Sequence, residues 1–173
     1  MGQTIKLILL GDPMAKQSTR VAANGYKLVH KRGKLVKVPK IRAYTKKKYK
    51  ERLSDYQAQI KKQLPPNFKL FKGAVFIDRL LVVLQPTKQM LGSKERKKQF
   101  EQGRGILHTK RPDLPDNLKK LLLDSLSGIV YEDDGLICME QNTKKVYALN
   151  PRIEITLTGE IDPNKGFTFV DLD

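Results

Sequence analysis

Apolar residues fall along this chain in short runs of two kinds, alternating and helical, set apart by polar breaks rich in glycine and proline. Thr4 to Leu10 alternates well enough for a strand and stops at Gly11-Asp12-Pro13. Tyr26-Lys27-Leu28-Val29 and Lys34-Leu35-Val36-Lys37-Val38 flank His30-Lys31-Arg32-Gly33 and predict a basic β-hairpin. Between Thr45 and Leu64, Tyr49, Leu53, Tyr56, Ile60 and Leu64 recur at spacings of three and four. That period predicts a helix capped by Thr45 and ended by Pro65-Pro66. Ala74 to Leu84 is a strand rich in Val, Leu and Ile, closed by Pro86. Residues 87–111 have no core pattern and read as a loop or short helix facing a substrate. Asn117 to Leu126 predicts a helix with Leu118, Leu121, Leu122 and Leu126 turned inward. Leu136 to Ala148 and Arg152 to Thr158 predict two late strands, with Cys138 in the core of the first.

A chain of 173 residues fits one domain with a single core, here expected over residues 1–158, followed by an acidic C-terminal tail over 159–173. No apolar run approaches the ~18 residues of a membrane span. The first ten residues lack a basic leader and a small-residue cleavage site, so they read as structure and not as a signal peptide. The single cysteine excludes an internal disulfide and a multi-thiolate zinc site, and a cytoplasmic protein is expected.

Charge narrows the function. Thirty-four basic against 18 acidic residues give a net +16, a field that attracts polyanions. Its distribution is uneven: residues 1–50 carry 14 basic residues and one acid, whereas 112–173 carry 6 basic residues and 12 acids. Six of those 12 acids lie in two places, Asp113 to Asp124 and Glu132-Asp133-Asp134. On a helix Asp116, Lys120 and Asp124 share a face, Asp113 stands just before it, and a turn could return Asp133-Asp134 to the helix start. Carboxylates ~4 Å apart repel by about 4 kcal/mol at an effective dielectric near 20, unless a cation neutralises them or one holds a proton. Oxygen ligands without Cys or His favour a hard ion, Mg2+ or Mn2+. In a polyanion-binding chain such an ion points to phosphodiester hydrolysis, with Lys120 placed to offset transition-state charge. Each residue also has an ordinary use: Asp113 or Asp116 as a helix cap, Asp116, Lys120 and Asp124 as surface ion pairs, Asp133-Asp134-Gly135 as a turn.

The spacing Asp113-x-x-Asp116-Asn117-Leu118-x-Lys120, then Asp124-Ser125-Leu126-x-Gly128, then Asp133-Asp134, resembles the signature of the RusA-like Holliday junction resolvases. That family shows Asp-x-Asp-Asn-x-x-Lys, Asp-Ala-Leu-x-Gly and an Asp-Asp pair. Gly11-Asp12-Pro13, Tyr44-Thr45 and Arg111-Pro112-Asp113 also have counterparts, so the resemblance covers most of residues 4–158. It implies an α/β (α+β) fold, a single small domain with a mixed β-sheet and helices packed on it. It implies an endonuclease that acts as a homodimer on branched DNA and nicks opposed strands of a four-way junction. Asp116 is similar to the family's second metal-site aspartate, Lys120 to its catalytic lysine and Asp134 to the essential member of its later pair. Asp113 resembles the first aspartate, although Leu114-Pro115 gives two intervening residues where the family has one. Asp133 and Asp124 follow as metal support or helix caps. The same resemblance puts Lys16, Arg20, Lys110 and Arg111 against the junction backbone.

The alternative is a non-catalytic nucleic-acid-binding protein, which explains the charge and leaves the acidic cluster unexplained. Aromatics at 7% without Trp give little surface for stacking single strands. Gly11 to Ser18 fails as a phosphate-binding P-loop because Lys16 stands where the second glycine belongs, and no small-molecule organic cofactor is expected. Two histidines far apart, His30 and His108, do not make a His-based nuclease site and read as solvent-facing.

Overall fold

The structure is a computed structural model that describes residues 2–14, 20–31, 34–44, 47–110, 114 and 118–162. Between residues 20 and 44 the description is of the backbone, apart from the side chains of Leu28, Lys34, Leu35 and Lys37. The elements are β1 (Gly2–Leu10), β2 (Arg20–Lys31), β3 (Lys34–Tyr44), α1 (Lys47–Gln63), β4 (Val75–Leu84), α2 (Lys88–Leu91), α3 (Lys94–Glu101), β5 (Ile106–Leu107), α4 (Lys119–Leu126), β6 (Ile137–Glu140), β7 (Thr143–Tyr147) and β8 (Arg152–Glu160). Six strands form one mixed sheet in the order β1-β8-β4-β7-β5, with β6 also pairing with β4. The hairpin β2–β3 is a separate two-stranded sheet. This is the expected α+β domain. No helix of the described residues is long and apolar enough to cross a membrane.

Apolar rows run straight across the sheet. Ile5, Leu157 and Ile77 are opposite one another, as are Leu7, Ile155 and Leu80, and Leu9, Ile153 and Val82. Ile77 and Leu80 are three apart and would face opposite sides of a regular strand. The register shift between Ile77 and Arg79 inserts one residue and returns Leu80 to the core face. α1 and α4 cover that face, with Tyr49, Tyr56 and Ile60 from one and Leu121, Leu122 and Leu126 from the other in the same core. At ~1.5–3 kcal/mol for each fully buried large apolar side chain, this cluster is the main source of stability. The other face is polar: Asp78 accepts from Thr158 at 2.7 Å, and Glu154 accepts from Arg152 at 2.7 Å.

α1 also closes an edge. β1 ends the sheet, and the side-chain amides of Gln63 and Gln59 pair with the backbone N–H and C=O of Ile8 and Leu10 at 2.7–3.2 Å. Two glutamines thereby stand in for a neighbouring strand.

Several expectations need correction. Of the loop or short helix expected over 87–111, residues 87–110 hold two short helices and add β5. Thr87 and Ser93 cap the helices and Phe100 is buried. Those helices are too short and too charged to display a period. Leu136 to Ala148 is two strands, β6 and β7, broken at Asn142, whose φ is 47°. Cys138 is exposed, because β6 lies at a margin where Cys138, Met139 and Glu140 all meet solvent. His108 is buried, at 7% exposure. β8 continues past Thr158 to Glu160, and Phe71 packs where a side chain at Gly159 would stand. The expected cap Thr45 lies outside the described residues.

Candidate active site

α4 is the element around which the site is built. Its inward side is leucine, so its remaining positions are held by polar contacts that differ in kind. Lys119, the first residue, is half-buried and pairs with Glu140 at the end of β6 (2.5 Å), and Thr143 donates to the other Glu140 oxygen at 2.6 Å. Burial pushes the Glu140 carboxyl up, but the hydrogen bonds from Lys119 and Thr143 and the ammonium charge outweigh it and hold the group below its usual range. Lys120, its neighbour, is exposed. A helix separates adjacent residues by about 100°, so one lysine serves the fold and the other is free to face a ligand.

One turn on, Asp124 is half-buried and accepts a 2.5 Å hydrogen bond from the Tyr49 hydroxyl of α1. Burial and then the Asp124 hydrogen bond and charge raise the Tyr49 pKa. Past α4 the chain turns through Gly128, whose φ of +72° suits glycine, and Tyr131 returns to the helix, its hydroxyl donating to Leu123 O at 3.0 Å. Phe71 fixes this return: its N–H donates to Val130 O, and its C=O accepts from Glu132 N–H.

Asp133 and Asp134 follow directly and are exposed. Asp133 Oδ1 accepts from Gly135 N–H at 2.8 Å and so caps the short 3-10 turn Asp134–Leu136. The Tyr131 pKa is raised by burial first and then by the charges of Asp134, Asp124 and Asp133. β6 then runs back so that Glu140 meets Lys119, which returns the chain from the Asp pair to the start of α4.

The approach to the site is pinned as well. His108 N–H donates to Lys145 O at 2.9 Å, and Lys145 Nζ donates to Lys110 O at 2.9 Å. Lys110 is exposed. Asp113, Asp116, Lys16 and Arg111 lie outside the described residues, and Arg20 is described only in its backbone, where it opens β2 opposite Tyr44. Of the expected site residues the structure describes Asp124 and Lys120 on α4, and Asp133 and Asp134 on the segment that follows Tyr131, whose hydroxyl ties it back to that helix.

Among the described residues no three His, Cys, Asp or Glu side chains form a metal site. Asp133 and Asp134 offer carboxylate oxygens alone, a donor set that fits a hard divalent ion. Tyr49, Tyr131 and Glu140 were invisible as site-supporting residues in the sequence. Tyr49 read only as part of the apolar period of its helix, Tyr131 had no reading of its own beside the Asp pair, and nothing local links Glu140 to a lysine 21 positions away.

A family model described as endodeoxyribonuclease RusA matches residues 11–158. Comparison with curated proteins finds no match.

Proposed function

The chain belongs to the RusA endodeoxyribonuclease family, and from that premise we propose that it is a magnesium-dependent, structure-selective nuclease that resolves Holliday junctions by paired symmetric nicks as a homodimer. The observation that supports this reading is the return of the chain at Tyr131, whose hydroxyl donates to Leu123 O of α4 and so brings the exposed Asp133-Asp134 pair back toward the helix that carries Asp124 and the exposed Lys120, in a chain of net charge +16.

Asp113, Asp116 and Asp134, with Asp133 in support, would hold the ion. Magnesium, when bound, supplies positive charge that offsets the phosphate's and makes water more acidic. Lys120 projects from the exposed side of α4 and stabilises negative charge gathering on the scissile phosphate. Asp124 is a positioning residue in this scheme, since the Tyr49 hydroxyl already claims one of its oxygens. Lys16, Arg20, Lys110 and Arg111 bind backbone phosphates, contacts that set register without reading sequence. A two-fold homodimer presents two such sites to opposed strands.

The test is cleavage of a synthetic four-way junction beside a linear duplex, with magnesium or EDTA, by wild type, Asp116→Asn and Lys120→Ala. Metal-dependent paired nicks on the junction alone, lost in both variants with junction binding kept, are expected. Binding without cutting under any divalent ion would return the chain to a non-catalytic binding role.

A further inference from the structure

The segment leading into residues 111–117 builds a cavity that the core and the carboxylates leave unused. It holds about 340 Å³, near the lower end of the ~300–1,000 Å³ typical of small-ligand sites. Met90 of α2, Ile106 and Leu107 of β5 and Tyr147 of β7 give it apolar walls, and Arg96 of α3 and Lys110 add two cations. Tyr147 also packs against the core, but the two β5 members face solvent: Leu107 is 68% and Ile106 37% exposed. The Tyr147 ring is backed by the His108 ring, with centroids 4.4 Å apart and planes tilted by 44°. His108 is itself buried and hydrogen-bonded through its backbone to Lys145, so the aromatic wall stands on a fixed support.

A flat apolar group carrying an anion suits this chemistry, and a nucleotide has both parts. The surroundings choose a strand over a free molecule, since residues 87–111 carry eight basic residues against two acids, more than one phosphate needs. Lys110, in the cavity wall, precedes Asp113, one of the candidate metal ligands, by three positions, at most ~10 Å of chain. We propose that the cavity takes one unstacked nucleotide of the DNA strand to be cut, its base against Tyr147, Met90 and Leu107 and its phosphate on Arg96 and Lys110, and so sets base preference beside the cut. This rests on the nuclease reading above. Gln89, also in the wall, supplies both a donor and an acceptor for the base edge, the kind of group that separates one base from another.

The experiment is binding of four-way junctions in which 2-aminopurine replaces single bases around the cut, in calcium to withhold cleavage. Wild type, Tyr147→Leu and Leu107→Glu are compared. Leu107 is exposed enough for its variant to fold, which covers the case in which Tyr147→Leu does not. One position per cut strand is expected to change its fluorescence on binding wild type, and to lose that change in Leu107→Glu. Affinity should fall by roughly 5- to 150-fold, the worth of one stacked base, and the spread of cleavage rates among junctions differing at that base should narrow. No responding position, or a response and base preference unchanged in the variants, overturns the proposal. So does displacement of the junction signal by excess free deoxynucleoside monophosphate, which would make the cavity a site for free nucleotides. A wild type that shows the position-specific change and yet cuts no junction in magnesium keeps the pocket and removes the nuclease.

Discussion

Lys119 and Lys120 are neighbours in sequence and opposites in the fold. Lys119 is bound to Glu140, each side chain about a quarter exposed, whereas Lys120 faces solvent. Lys120→Ala is expected to leave thermal stability unchanged and lower cleavage by ~10²–10³-fold, read as single-turnover rates on a junction. Glu140→Gln should do the reverse, costing about 1 kcal/mol and shifting the melting temperature down by ~2–4 °C, with catalysis altered little. Because the Glu140 carboxyl is held below its usual 4.5, its contribution is fully present above that pH and fades as pH falls through the folded value. Acid unfolding of Glu140→Gln should accordingly be less steep below about pH 4.5. His108 works in the other window. Burial first, and then the Lys145 charge, lower its pKa from 6.5, so the unfolded chain takes up a proton that the folded chain refuses. Stability is therefore complete above pH 6.5 and declines as pH falls below it, and His108→Phe should flatten that decline in melting curves taken from pH 5 to 7.

At the scale of elements, α1 performs two tasks that its period alone would not suggest. Through Gln59 and Gln63 it satisfies the β1 edge, and through Tyr49 it holds Asp124 of α4. Replacing both glutamines with alanine is expected to cost little stability, since water takes over the exposed backbone groups. It should, however, raise light scattering on warming, because a bare edge recruits other strands. Tyr49→Phe should cost about 1–3 kcal/mol in denaturant unfolding, as Asp124 loses a donor in a half-buried place. The helix 47–63 was legible because Tyr49, Leu53, Tyr56 and Ile60 repeat over its length. α2 and α3 were not, at four and eight residues, although the cap residues Thr87 and Ser93 were a signal that could have found them. The two late strands looked like one because β6 and β7 pair with the same side of β4 and only Asn142 separates them in conformation.

Over the whole molecule, the first and last described strands are partners, and the register runs from Gly2 opposite Glu160 to Leu10 opposite Arg152. Lys72 and Gly73 both donate to Glu160 O, so the sheet is closed by residues that composition alone assigns to an acidic tail. A chain ended at Thr158 should melt several degrees below one ended at Asp162. The charge makes a further prediction at this scale. With ~6–10 phosphate contacts, junction affinity should fall by ~10³–10⁵ between 50 and 200 mM salt, and the slope on a log–log plot counts the contacts.

By itself the sequence determined the elements long enough to show a period, the inward faces of α1 and α4, the polyanion partner and the residue types of the candidate chemistry. These are local or summed properties, and a chain reveals them without folding. Only the tertiary structure decided that Lys119 is an anchor and Lys120 is not, that Asp124 answers to Tyr49, and that Tyr131 ties the segment before Asp133-Asp134 back to α4. Those outcomes depend on a bulge at Asp78-Arg79, a glycine turn at Gly128 and the grip of Phe71 on Val130 and Glu132. Each shifts side chains by a register step or reverses the chain, and the energies that choose it come from contacts between residues tens of positions apart.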